Sequence, residues 1–450
     1  MLNDMKKTLI HTILFVVLCM GFQSCLFDEK DNFSQSAADR QSEAVEKCAE
    51  LLKSSPNGWK LEYYVGEDYA LGGFPVFLNF KDKDVEMASA CSVPSVESGK
   101  VVTSLYQVKA EQETMLTFDT YNPILHYFAK PSGGGSDPNA NLQGDYEFVV
   151  RRMTEDSVYL EGKKYKNEMV LTRLDDTVKW SDYIRKVKAV QSETYWYYYN
   201  VSENGATKGQ VQREGNCLYY QPAGMDTTYV CPFIYTDTGI QLHTPLAVDG
   251  KAARNFTWDK SAGKLVCSDS SAAGIELSGF LPKTAKSYDS FIGTYTLTGH
   301  TFRTNAQGYI DSFDQPVTMR VSITANKRGE SYSMSGADLM IPVPVNYDKG
   351  IGGLAIVSQG LGAYQFNTGT LYVGLQAGFG GNSVGYAEAV SSDIDKTQAL
   401  GIVLNDNPLT VSFNEGGTFS GFFLWAYSNA SYTQSAGVID MLTEIKLVKQ

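Results

Sequence analysis

Histidine is scarce in this sequence, with four in 450 residues. None begins a His-Glu-x-x-His run and no two lie close together, so a helix-borne zinc site is excluded. The chain has seven cysteines, and no pair has the Cys-x-x-Cys spacing of a zinc or redox centre. Gly99-Lys100, Gly162-Lys163, Gly250-Lys251 and Gly263-Lys264 are never followed by Ser or Thr, so no P-loop is present. Positive charge is short as well: 38 Lys and Arg face 50 Asp and Glu, a formal net charge of −12. Such a chain is a poor partner for nucleic acid, whose phosphates need a basic face. Long apolar runs are missing too. The longest, Ile10 to Phe22, falls short of the about 20 residues that a membrane-spanning helix needs.

That short run follows Lys6 and Lys7 and ends at Ser24-Cys25, the layout of a secretory leader. Phe22-Gln23-Ser24-Cys25 resembles a bacterial lipobox, in which the cysteine thiol receives a diacylglyceryl group and becomes the mature N-terminus. Residues 1–24 are therefore the expected signal peptide, and Cys25 the expected lipid anchor. Residues 25–33 form an acidic tether, and its Asp28, Glu29 and Asp31 resemble the export tag of Bacteroidetes-type surface lipoproteins. The implied location is the outer membrane, facing outward.

Abundant glycine (41), tyrosine (28) and phenylalanine (22), with only 20% charged residues, point to strands and turns. The expected fold is mainly β: antiparallel sandwich or barrel domains with one N-terminal helix and a short linking helix. Ala44, Val45, Cys48, Leu51 and Leu52 mark the first helix, for which Ser36-x-x-Asp39 offers a capping box. Tyr183, Ile184, Val187 and Val190 mark the second. Val101 to Lys109 reads as one strand, and Asn204-Gly205 and Asp249-Gly250 read as hairpin turns. Val317, Met319, Val321 and Ile323 alternate with polar residues, the period of a strand with one wet face. Three regions result: 34–175, 176–284 (a meander packed on or continuous with the preceding sheet) and 288–450. The terminal strand, Val438 to Val448, is expected to cover an edge of the last sheet.

"LLKSSPNGWKLEYY", "FPVFLNF", "SLYQVKAEQETMLTFDTYNPILHYFAKP" and "LQGDYEFVV…LEGKKYKNEMVLTRL" together resemble an uncharacterised family of Bacteroidetes-type outer-membrane lipoproteins. The resemblance implies company with SusC/SusD-type nutrient importers. It carries no catalytic motif.

Residues that could do chemistry are few. His126, His243 and His300 stand alone. Gly381-Asn-Ser383-Val-Gly385 spells a nucleophile elbow, but no histidine follows His300 to complete it. Asp82-x-Asp84-x-Glu86 lacks the glycine and distal glutamate of a calcium loop and reads as a solvated strand edge. No catalytic residue, metal ligand or cofactor is assigned.

Aromatics carry the remaining signal. On a strand, Tyr195, Tyr197 and Tyr199 face one way while Trp196 and Tyr198 face the other, so one set is core and the other is core or platform. Trp425 and Tyr427 pose the same choice. A platform of Trp196, Tyr198, Trp425 and Tyr427 would suit a glycan or peptide. Cys217 and Cys231 bracket a turn centred on Gly224 and, in a symmetric hairpin, would stand opposite each other within reach of a disulfide. The expected function is a surface-anchored binding or accessory lipoprotein of a nutrient uptake system. A surface hydrolase and a fimbrial subunit are the alternatives.

Overall fold

The computed structural model describes residues 36–93, 96–129, 142–283, 285–304, 310–350, 352–356, 359–379, 382–383, 402–404, 409–410, 419–432 and 434–450. The leader, Cys25 and the acidic tether lie outside these residues. Helix α1 (Ala37–Lys53) begins where the capping signal places it: the Ser36 hydroxyl accepts the Asp39 amide at 3.1 Å. Its apolar stripe buries Cys48 and Leu52 completely.

The chain then forms β1 (Trp59–Val65), β2 (Gly72–Phe80), β3 (Asp84–Ser89), β4 (Val102–Leu105), β5 (Gln107–Ala110) and β6 (Thr114–Thr117). A short helix α2 (Leu125–Ala129), β7 (Glu147–Met153), β8 (Ser157–Gly162) and β9 (Glu168–Arg173) complete the unit. All nine strands join one antiparallel sheet in the order β4-β3-β2-β1-β9-β8-β7-β6-β5. Its two outermost strands are neighbours in sequence, separated only by Tyr106. The sheet must therefore curl until its ends meet at that residue. The stretch expected to be one strand is thus two half-strands, the first paired to β3 and the second to β6. Leu105 and Thr120 exchange hydrogen bonds across the seam, at 2.9 and 3.4 Å. Helix α1 packs on the enclosed core, where Cys48 and Leu52 join Trp59, Leu61 and Val76.

Helix α3 (Trp180–Glu193) buries Ile184, Val187 and Val190, the stripe read from spacing. It leads into β10 (Tyr198–Glu203), β11 (Ala206–Glu214), β12 (Cys217–Pro222), β13 (Tyr229–Tyr235), β14 (Gly239–Val248), β15 (Lys251–Asp259), β16 (Lys264–Cys267) and β17 (Ile275–Phe280). These make a closed barrel in sequence order, with β17 paired back to β10. Asn204-Gly205 and Asp249-Gly250 turn its hairpins with positive φ at both residues (49° and 83°, 47° and 81°), as the mirror-image tight turn requires.

Strand β2 is buried on both faces. Val76, Leu78 and Phe80 line the core of the first sheet, whereas Phe77 points out and joins the barrel cluster together with α3. Its ring lies 5.8 Å from Trp180 and 5.2 Å from Tyr183. The first two β regions are separate sheets that share this apolar contact.

The third region contains β18 (Gly293–Thr304), β19 (Ile310–Lys327), β20 (Ser331–Ser335), β21 (Val343–Asp348), β22 (Gly353–Ile356), β23 (Gln359–Phe366), β24 (Gly369–Phe379), β25 (Asn382–Ser383), β26 (Ile402–Leu404), β27 (Leu409–Thr410), β28 (Phe419–Tyr427) and β29 (Ser435–Lys449). They form a 12-stranded antiparallel sheet whose main path runs β23-β24-β28-β29-β18-β19-β20-β21-β22-β26. The terminal strand β29 covers the edge of β18, as expected, but it lies inside the sheet between β28 and β18. No described helix is long and apolar enough to cross a membrane.

Candidate binding site

The aromatic run before the barrel is built differently from a simple alternation. Strand β10 begins only at Tyr198, so Tyr195, Trp196 and Tyr197 are not held to opposite faces. Tyr199 points into the barrel and is 3% exposed. Tyr198 points outward, 5.8 Å from Phe280. Trp196 does not join Tyr198. Its indole lies over Gly279, where a Cβ would overlap the ring, and it packs against the barrel core. Tyr195 stacks on Trp196 with centroids 4.4 Å apart and planes 23° from parallel. Trp258 of β15 completes the group, 5.9 Å from Trp196.

Tyr195, Trp196 and Trp258 are each only half-buried. Together they make an aromatic shelf at one end of the barrel. The Trp258 indole N–H donates to Glu193 at 2.7 Å, and Lys260 pairs with the same carboxylate. These two contacts, that of Lys260 first, hold the Glu193 carboxyl below its ordinary range. Glu193 therefore stays ionised and is unsuited to act as a general acid near neutrality. The shelf offers flat apolar rings beside one carboxylate and one ammonium. That is chemistry for holding the apolar face of a sugar or a peptide side chain. Trp258 escaped the sequence reading because it is far from Trp196 along the chain. The one available signal was Gly279, a strand glycine that leaves room for a neighbouring ring.

The other proposed platform residues divide. Tyr427 is core: it is 5% exposed, its hydroxyl bonds to the Gln376 side chain, and its ring meets Tyr432 edge-on at 5.5 Å. Trp425 is half-buried opposite Gly374, and its buried indole N–H has no partner among the described residues. Tyr197 instead reaches the third region. Its hydroxyl donates to Asp348 at 3.3 Å and its ring backs onto Gly350.

The expected opposition of Cys217 and Cys231 is corrected by register. Cys217 faces Pro232, and Cys231 faces Leu218, so the hairpin is centred half a residue later than a symmetric turn at Gly224. A one-residue offset sends the two thiols to opposite faces. Cys231 joins the barrel core. The Cys217 thiol leaves the barrel and donates to the Ala70 carbonyl at 3.2 Å. Cys48, Cys217, Cys231 and Cys267 are free and buried, and Cys91 is buried as well.

Among the described residues no cluster of three metal-ligating side chains occurs. His126 stacks on Tyr146 at 4.7 Å, and His243 packs between Tyr64 and Tyr69. Asp82 and Glu86 pair with Lys53 and Lys81 at the surface. Asn382 and Ser383 form the short strand β25 against β24, while the flanking Gly381, Val384 and Gly385 lie outside the described residues.

No curated protein and no solved structure matches the chain. Residues 268–407 match a second family described only as a domain of unknown function (DUF4987). The first family match, residues 29–260, stops in the turn between β15 and β16, two strands short of barrel closure. It covers just over half of the sequence, and the chain belongs to that family, described as a domain of unknown function (DUF4302).

Proposed function

We propose that the protein is a lipoprotein anchored through Cys25 at the outer surface of an outer membrane, serving as a binding or accessory component of a nutrient uptake system. The leader, the Ser24-Cys25 junction and the acidic residues after it support the anchor. Ten residues separate Cys25 from the helix cap at Ser36. At about 3.5 Å per extended residue they let the folded part stand up to about 35 Å from the lipid. The observation that carries the binding role is the half-exposed shelf of Tyr195, Trp196 and Trp258, with a glycan or peptide as ligand class. A SusC/SusD-like importer is the proposed partner. Glu193, the carboxylate beside the shelf, is held ionised by Lys260 and Trp258, which does not suit a hydrolase's general acid.

The test is made in the native cell. Fatty-acid labelling should mark the wild type and not Cys25→Ala, protease should shave the protein from intact cells, and mild solubilisation should retain the importer. Label on the alanine variant would refute the anchor. Protection until the outer membrane is breached would refute surface exposure. Loss of the importer at every detergent concentration would refute the partnership.

A further inference from the structure

Among the described residues the third sheet leaves an unfilled apolar cleft beside its core. It lies between β18, β19, β20, β28 and β29, has a volume of about 140 Å³ and is open to solvent on one side. Natural cores rarely keep voids larger than a water molecule. Its volume is close to that of an apolar cavity of about 150 Å³ that takes one benzene ring. Irregular pairing accompanies the opening. Strand register slips between Thr298 and His300 on β18, and again between Leu424 and Trp425 on β28. Slips of this kind bend strands and re-aim side chains.

Four methionines, Met319, Met334, Met340 and Met441, share the lining with leucine, isoleucine and phenylalanine. Methionine is flexible and polarisable, and it adapts to varied apolar guests. Two polar side chains interrupt this surface, Thr301 and Asp440. The Thr301 hydroxyl donates to Asp440 Oδ1 at 3.0 Å, and the Met441 amide donates to the same oxygen at 2.7 Å. Both contacts fix the carboxylate through one oxygen. Among the described residues no hydrogen bond or ion pair reaches Asp440 Oδ2.

We infer that this cleft binds a small amphiphilic cation: one aromatic ring or short branched alkyl group in the apolar chamber, with an ammonium on the free oxygen of Asp440. Size sets the apolar part, because the chamber holds one ring and no long chain. Charge sets the polar part, because an oriented carboxylate at an apolar wall favours a cation and repels an anion. This site is separate from the aromatic shelf and stands whether or not the protein serves an importer.

The probe is phenethylamine, with 2-phenylethanol and 3-phenylpropanoate as its neutral and anionic counterparts. The readout is the spectrum of ¹³C-methyl methionine in the full mature chain. Phenethylamine should shift the methyls of Met319, Met334, Met340 and Met441 saturably and leave distant methionines unmoved. Asp440→Asn should weaken the amine at least tenfold and leave the alcohol unchanged, and 3-phenylpropanoate should bind weakest. Filling the chamber with Met334→Trp should abolish binding of all three. Met340→Trp, at a position that is 56% exposed, provides a second blocking variant with little burden on the core. Unmoved cleft methyls at tens of millimolar amine would overturn the proposal, and would mean that the chamber is closed by the chain itself. Equal affinity of wild type and Asp440→Asn for the amine would overturn the role of the carboxylate.

Discussion

Tyr69 and His243 lie ring against ring, with centroids 3.9 Å apart and planes 34° from parallel. The contact ties the turn after β1 to β14 of the barrel. Tyr69 makes it from a left-handed backbone conformation, φ 64°, with Asp68 before it at φ 52°. Non-glycine residues adopt that conformation at a cost, and here the two sheets meet over it.

Burial holds the His243 imidazole below its ordinary value of 6.5, and Arg254 pushes it the same way against an opposing pull from Glu168. The unfolded chain therefore binds the proton more readily. The stabilisation is complete above pH 6.5 and is lost as pH falls through the lowered folded value. His243→Phe keeps a ring at the junction and removes the titration. Thermal melts from pH 7 to pH 5 should show a shallower decline for the variant. Parallel declines would mean that His243 does not carry the pH dependence.

Phe77 couples the two sheets. Phe77→Ala should cost about 3–5 kcal/mol, the usual loss for emptying a buried phenylalanine site. Hydrogen exchange should fall in protection along β1 and β11 alike. Loss confined to β1 would show that the barrel does not depend on the contact.

Gly279→Ala places a methyl group where the Trp196 ring lies. The indole should be displaced, with a red shift in emission that is absent when Gly279→Ala is added to Trp196→Phe. Whatever glycan or peptide the shelf binds should lose affinity in the same variant.

The cysteines should prove inert in the folded protein. Burial pushes the Cys217 thiol up to about 12, with Glu214 adding to the rise, and burial pushes Cys231 up to about 11. Thiolate is the reactive form, so alkylation at pH 8 should be slow until denaturant is added. All five buried thiols should then react without reductant. A pair that needs reductant would contradict the register of β12 and β13.

Local signals were legible in the sequence. The cap at Ser36, the stripe of Ile184, Val187 and Val190, and the turns at Asn204-Gly205 and Asp249-Gly250 each depend on residues within a few positions. What stayed hidden depends on distant partners. The break at Tyr106 follows from closure of a sheet whose other strands lie up to residue 173. Trp196 takes its orientation from Gly279, and the thiols of Cys217 and Cys231 are parted by a half-residue shift that a symmetric turn does not announce. The cleft gathers Thr301, Met319 and Met334 from three consecutive strands and Asp440 from the last strand, far along the chain, and no spacing rule links them.

The curled first sheet has a consequence in time. Its pairing of Trp59 with Arg173 joins residues more than a hundred positions apart, whereas every pairing in the barrel except β10 with β17 joins consecutive strands. Distant pairings carry a larger loop-closure penalty before they gain anything, and they form slowly. Pulse-labelled exchange during refolding should find β11 to β15 protected before β1 and β9, and the reverse order would contradict it. Of the first sheet and the barrel, the one that leaves the ribosome first is then the one completed last, when β9 arrives to meet a strand that has waited since the beginning.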